Sequence, residues 1–68
     1  MYKPLTTSQQ AELESMIDST SLYDVLWSLE RICLAKAEHV ETNWQDKALA
    51  RQWTYNAELI AKTARKTR

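Results

Sequence analysis

Apolar residues recur with a helical period along most of the chain, and most clearly from residue 22 to about residue 41. Their spacing of three and four positions predicts one broad core-facing side of a helix. That side contains Leu22, Val25, Leu26, Leu29, Ile32, Cys33, Ala37 and Val40. A second stripe, Tyr23, Trp27 and Leu34, lies well over a quarter turn away. One neighbouring helix cannot cover both stripes.

A third helix is predicted from about residue 44 to 64, and it also carries two stripes. The first contains Leu49, Trp53, Ala57, Ile60 and Ala64; the second contains Trp44, Ala48, Tyr55 and Leu59. The small residues Ala50, Ala57, Ala61 and Ala64 on or beside the first stripe would let two helices approach closely. Residues 22–64 therefore predict an antiparallel helical hairpin.

A shorter helix is predicted before this hairpin, from about residue 8 to 18. Its sizeable apolar residues are Leu13, Met16 and Ile17, a face too narrow for the helix to be stable alone. We expect it to lie across the hairpin as a lid. The fold class is then all-α, with a short N-terminal helix and a two-helix hairpin in a single helical domain.

Capping residues predict the boundaries of these helices. Thr7 with Gln10, and Ser21 with Asp24, have the spacing of capping boxes. In the bend we expect Asn43 to be the N-cap, with Asp46 at the third helical position. The chain has no glycine and its single proline is Pro4, so a continuous helix through Asn43 remains an alternative.

Surplus apolar surface is the main functional indication. A chain of 68 residues has a marginal core and usually needs a disulfide, a metal or a second chain. With one cysteine no internal disulfide can form, so we expect a homodimeric helical bundle that also binds a larger protein, as an adaptor or inhibitor. The predicted interface residues are Tyr23, Trp27, Leu34, Trp44 and Tyr55.

The distribution of charge suggests an alternative function, nucleic-acid binding, which we consider less favoured. Nine basic and nine acidic side chains cancel overall, but the first half of the chain is acidic and the second half basic, which suits antiparallel pairing. A basic C-terminal tail could contact nucleic-acid phosphates without sequence preference through Lys62, Arg65, Lys66 and Arg68. No predicted helix concentrates Arg, Asn and Gln on one face, which counts against this alternative.

No enzymatic chemistry emerges from the sequence. His39 has no second histidine or cysteine at metal-ligand spacing, and Glu38 and Glu41 lack a facing pair of carboxylates. Cys33 falls within the apolar stripe, so we expect a buried thiol that packs as a small hydrophobic residue. We predict no catalytic residue, no metal and no cofactor, and a protein that is not an enzyme.

The first residues show no apolar run behind Lys3, so we expect no signal peptide, no membrane association and a cytoplasmic protein. The block from Ile32 to Asp46, with Leu49, Ala50 and Trp53 behind it, resembles a pattern in small uncharacterised bacterial and phage-encoded proteins. It covers about a third of the chain. The resemblance implies a setting, the cytoplasm of a bacterium or phage host, and implies no activity.

Overall fold

The structure, a computed structural model, describes residues 4–67 as three helices joined by short connections. Helix α1 spans Thr7–Ser19, α2 spans Leu22–His39 and α3 spans Lys47–Lys66. A π-helical turn, Val40–Trp44, lies between α2 and α3. The described residues contain no strand, which confirms the all-helical fold class. Observed helix ends differ from the predicted ones by at most three residues.

Helix α1 begins one residue earlier than its sequence indicates. Thr6 is the N-cap: its hydroxyl accepts from the Gln9 amide at 3.1 Å, and the Gln9 side chain accepts from the Thr6 amide at 3.0 Å. The capping box expected at Thr7 and Gln10 is therefore wrong by one position. At the other end the Thr20 hydroxyl donates to the Met16 carbonyl at 2.8 Å, which satisfies one of the free carbonyls of the last turn.

Helix α2 begins at the predicted cap, and the π-helical turn that follows it continues the helical backbone past the predicted end. The Ser21 hydroxyl accepts from the Asp24 amide at 3.0 Å, which confirms the N-cap. After His39 the backbone widens into the π-helical turn, where the Thr42 hydroxyl donates to the Glu38 carbonyl at 2.8 Å. The chain thus stays helical through Asn43 and breaks after Trp44, so the single continuous helix considered as an alternative does not form.

The bend consists of Gln45 and Asp46. Gln45 adopts a left-handed conformation with φ of 53°, and the Asp46 amide donates to the Val40 carbonyl at 3.4 Å. The Asp46 carboxylate then accepts from the Leu49 amide at 3.0 Å as the N-cap of α3. The prediction of Asn43 as N-cap is wrong, because Asn43 lies inside the π-helical turn and α3 begins only after the bend, with Asp46 as its N-cap.

Helix α3 folds back along α2, and the seam between them contains small side chains. The buried apolar residues in the described chain are Cys33, Ala37, Ala50, Ala57, Ala61 and Ala64. The predicted close approach through alanines is confirmed, and so is the buried thiol of Cys33. Three large residues of the predicted core face, Leu22, Leu29 and Ile32, are exposed instead. The seam is centred on the side of α2 that carries Cys33 and Ala37.

Helix α1 packs against α2 and makes no contact with α3. None of its residues is buried, and Met16 remains 56% exposed. The expectation of a lid across both arms of the hairpin is therefore wrong. Because α1 covers only one side of α2, the molecule has a radius of gyration of 13.6 Å, against about 11 Å for a compact globule of this length.

Candidate interaction surfaces

Four of the five predicted interface residues are exposed. Trp44 is 73% and Tyr55 60% exposed, and Tyr23 and Leu34 are exposed to a smaller extent. Trp27 is half-buried, and its ring meets that of Tyr23 edge-on, with centroids 6.2 Å apart and planes at 74°. Such edge-to-face geometry is favourable for aromatic pairs. These residues are therefore positioned on the surface as an interface would require.

The five residues do not form one patch. Tyr23, Trp27 and Leu34 lie within about 40° of each other around α2, and we refer to these three as the aromatic face. Trp44 ends the π-helical turn. Tyr55 lies on the opposite side of α3 from the buried Ala57, so it points away from the seam. The five predicted interface residues, which the sequence analysis treated as one surplus of apolar surface, therefore lie on separate parts of the molecule.

A concave apolar surface lies elsewhere, and the sequence analysis missed it. One groove, of about 320 Å³, runs between α1 and α2 and includes Leu13, Met16, Val25, Leu29 and Ile32 in its lining. A second, of about 550 Å³, lies between α2 and α3 and is lined by Ile32, Ala35, Lys36, His39, Val40 and Trp53. The two share Ile32, which is 51% exposed. We call this combined surface the Ile32 groove.

The Ile32 groove has a polar rim where α2 faces α3. The Lys36 ammonium lies over the Trp53 ring, with Nζ 5.6 Å from the ring centroid, a cation–π distance. His39 is exposed, and its Nδ1 lies 2.9 Å from Nδ2 of the Asn43 side-chain amide. Because an amide nitrogen can only donate, the histidine nitrogen accepts in this arrangement. Both contacts join α2 to later segments of the chain.

The residues considered for metal or nucleophilic chemistry are not assembled into a site. Glu38 and Glu41 are exposed. Among residues 4–67, no group of three or more His, Cys, Asp and Glu side chains could hold a metal ion. Cys33 is buried in the seam as a free thiol. The absence of enzymatic activity stays a prediction.

The basic residues near the C-terminus belong to a helix and not to a tail. Helix α3 continues through Lys66, so Lys62, Arg65 and Lys66 are exposed residues of its last two turns. The predicted contact residue Arg68 lies outside the described residues. Arg65 and Lys66 also occupy the last turn, where the helix dipole favours cations.

No helix in the described chain combines the length and apolar composition that a membrane crossing requires. Comparison with protein-family models, curated proteins and solved structures finds no match for this chain. The predicted bacterial or phage setting therefore stays a prediction, and so does every interaction of these surfaces.

Proposed function

We propose that this protein is a non-catalytic helical interaction module that forms a homodimeric helical bundle and binds a larger protein as an adaptor or inhibitor. The main support for the proposal is that the chain exposes more surface than a folded monomer of its mass is expected to expose. The chain exposes 5925 Å², whereas surface scaling gives about 4,400 Å² for a folded monomer of its mass. The surplus of roughly 1,500 Å² exceeds the ~800 Å² that each partner contributes to a standard interface.

The composition of the core supports the same proposal. No large side chain in the described residues is fully buried, while apolar residues on all three helices remain exposed. Burying each large apolar side chain is worth about 1.5–3 kcal/mol, so a second chain can supply stabilisation that the isolated fold does not obtain. The surplus area is enough for a second copy and for part of a larger partner. We place this activity in the cytoplasm of a bacterium or phage host.

The first test is the oligomeric state. Light scattering after size-exclusion chromatography at micromolar concentration should give twice the 7.9 kDa mass of one chain. Leu34→Gln and Tyr23→Ser remove apolar area from the aromatic face at exposed positions, so both variants should remain folded and become monomeric. Leu5→Ser, at an exposed position before α1, is the matched control and should remain dimeric. A compact, stable wild-type monomer would rule out the homodimer.

The second test concerns the larger partner. Trp27 belongs to the same aromatic face, so Trp27→Gln should break the dimer and thereby reduce capture of a partner that binds the dimer. Circular dichroism shows whether the half-buried position tolerates the change. If Trp27→Gln unfolds the chain, Leu34→Gln serves in its place. A partner that binds wild type and both variants equally would show that its binding depends neither on the dimer nor on the aromatic face.

A further inference from the structure

Positive charge is segregated onto one helix of this electrically neutral chain. Within α3 there are five basic side chains and a single acid, Glu58. Within α1 there are three acids and no base. Helix α1 packs against α2 and not against α3, while residues 22–46 carry both acids and bases. A net charge of zero therefore conceals an excess of four positive charges on α3 itself.

The five basic residues of α3 share one side of the helix. With a step of 100° per residue they fall within an arc of about 100°, and all are exposed: Lys47, Arg51, Lys62, Arg65 and Lys66. They extend over about 28 Å at a rise of 1.5 Å per residue. Tyr55 lies within the same arc, about halfway along the length of the helix. Glu58 also lies within the arc, but the cations outnumber it five to one. We call these five cations and Tyr55 the basic stripe.

We infer that the basic stripe binds the sugar–phosphate backbone of a nucleic acid, without sequence preference. A line of cations about 28 Å long is matched by an extended polyanion and not by a small anion, since phosphates recur about every 3.4 Å along one strand. Tyr55, with its ring largely exposed, offers a surface on which a base of a single strand can stack. The site extends well beyond the C-terminal residues that the sequence indicated.

An anionic membrane is a poorer fit to the same stripe. A helix that binds a membrane surface inserts its apolar side between the lipids. In α3 the main apolar side is occupied, because Ala50, Ala57, Ala61 and Ala64 are buried against α2. The exposed Leu49 and Leu59 lie about 15 Å apart along the helix, too far apart to form a second continuous apolar side. This inference rests on the charges of a single chain, so it stands or falls independently of the proposed homodimer.

The test is fluorescence anisotropy of labelled 20-nucleotide DNA, single-stranded and duplex, titrated with the full chain. Five phosphate contacts predict that affinity falls roughly 100-fold to 500-fold between 50 and 200 mM salt. Arg51→Glu should weaken binding at least about tenfold. Arg31→Glu, an equal charge change at an exposed position of α2, is the matched control and should have little effect. Tyr55→Ala should weaken single-strand binding about fivefold or more.

Three results would overturn the inference. The first is no binding to either DNA at 25 mM salt. The second is that Arg51→Glu and Arg31→Glu have equal effects, while the double variant Lys62→Gln, Lys66→Gln loses all binding. That result would restrict the contact to the C-terminal turns of α3. The third is binding of labelled polyglutamate as tight as that of DNA, with Tyr55→Ala unchanged, which would assign the stripe to an acidic protein. Circular dichroism of each variant verifies that it is folded.

Discussion

The two helix contacts of this molecule differ in the size of the side chains between them. Where α2 meets α3, the buried side chains are a cysteine and five alanines. Where α1 meets α2, the side chains are larger and none from α1 is buried. Small side chains allow two helix axes to approach, and the distance between axes depends on the residues at the contact. In this chain, side-chain size and not hydrophobicity decides which residues become the core.

The same difference explains where the large apolar residues are found. A seam of alanines brings the backbones of α2 and α3 together and leaves no room between them for leucine or isoleucine. Those side chains lie at the flanks of the seam, as Ile32 and Leu29 do beside α1. The tightly packed contact therefore creates the exposed apolar surface on which the proposed interactions depend.

The largest effect should come from enlarging a side chain in the seam. Ala57 is 2% exposed, so Ala57→Leu should force α2 and α3 apart and lower the free energy of unfolding by about 1–3 kcal/mol. Ala48→Leu, at an exposed position of the same helix, should change it by less than about 0.5 kcal/mol. Urea denaturation at one fixed protein concentration measures both. Equal midpoints for the two variants would contradict the role of the seam.

The cap of α3 should give the next largest effect. Asp46→Ala removes the carboxylate that accepts from the Leu49 amide and should lower the free energy of unfolding by about 1 kcal/mol. Asn43→Ala, the position that the sequence indicated, removes only an exposed contact with His39 and should cost less than about 0.5 kcal/mol. The reverse order would restore Asn43 as the cap. Thermal and urea unfolding are both suitable.

The cap of α1 should act locally. Thr6→Ala removes half of the capping box and should destabilise α1 by about 1 kcal/mol. Because α1 contacts α2 alone and contains no fully buried residue, its amides should exchange faster while those of α2 and α3 keep their protection. Native-state hydrogen exchange monitored by NMR gives this resolution. A uniform loss of protection in all three helices would show that α1 belongs to the same cooperative unit.

The smallest effect is expected at the bend. Gln45 has a positive φ, which costs a residue with a Cβ atom about 1–2 kcal/mol and costs glycine much less. Gln45→Gly should therefore raise the free energy of unfolding by up to about 1 kcal/mol. Gln52→Gly, the same exchange at an exposed helical position of α3, should lower it by about 1 kcal/mol. Destabilisation by both variants would argue against the left-handed bend.

Periodicity is sufficient to predict three helices, the break before Ser21 and the alanine seam. It cannot place the first cap, because Thr6 with Gln9 and Thr7 with Gln10 have the same spacing and only the backbone geometry distinguishes them. Nor can it reveal the π-helical turn, since Asn43 and Asp46 are both good N-caps and the extra turn decides between them. The α2–α3 contact is centred on the side of α2 that carries Ala37, so Ile32 lies outside the contact. That choice depends on packing between the helices, which periodicity does not show.

For the candidate surfaces, the sequence indicates exposed residues better than it indicates shape. Tyr23, Leu34, Trp44 and Tyr55 are on the surface as expected. The Ile32 groove could not be predicted, because it requires knowing that α1 covers α2 and leaves α3 bare. The basic stripe is obscured for a simpler reason: in the sequence, residues 62–68 resemble a tail separate from Lys47 and Arg51, whereas α3 is helical through Lys66.

The alanines of the seam also invert the usual pattern of mutational tolerance. In most domains, replacing a buried residue by a smaller one opens a cavity and is the more damaging direction of change. Here the buried side chains have almost nothing left to remove, so random substitutions to serine at the seam should be tolerated more often than substitutions to valine or leucine. Packing within the chain thus constrains its interior to stay small, while the large residues of its surface are constrained only by the interactions that they make with other molecules.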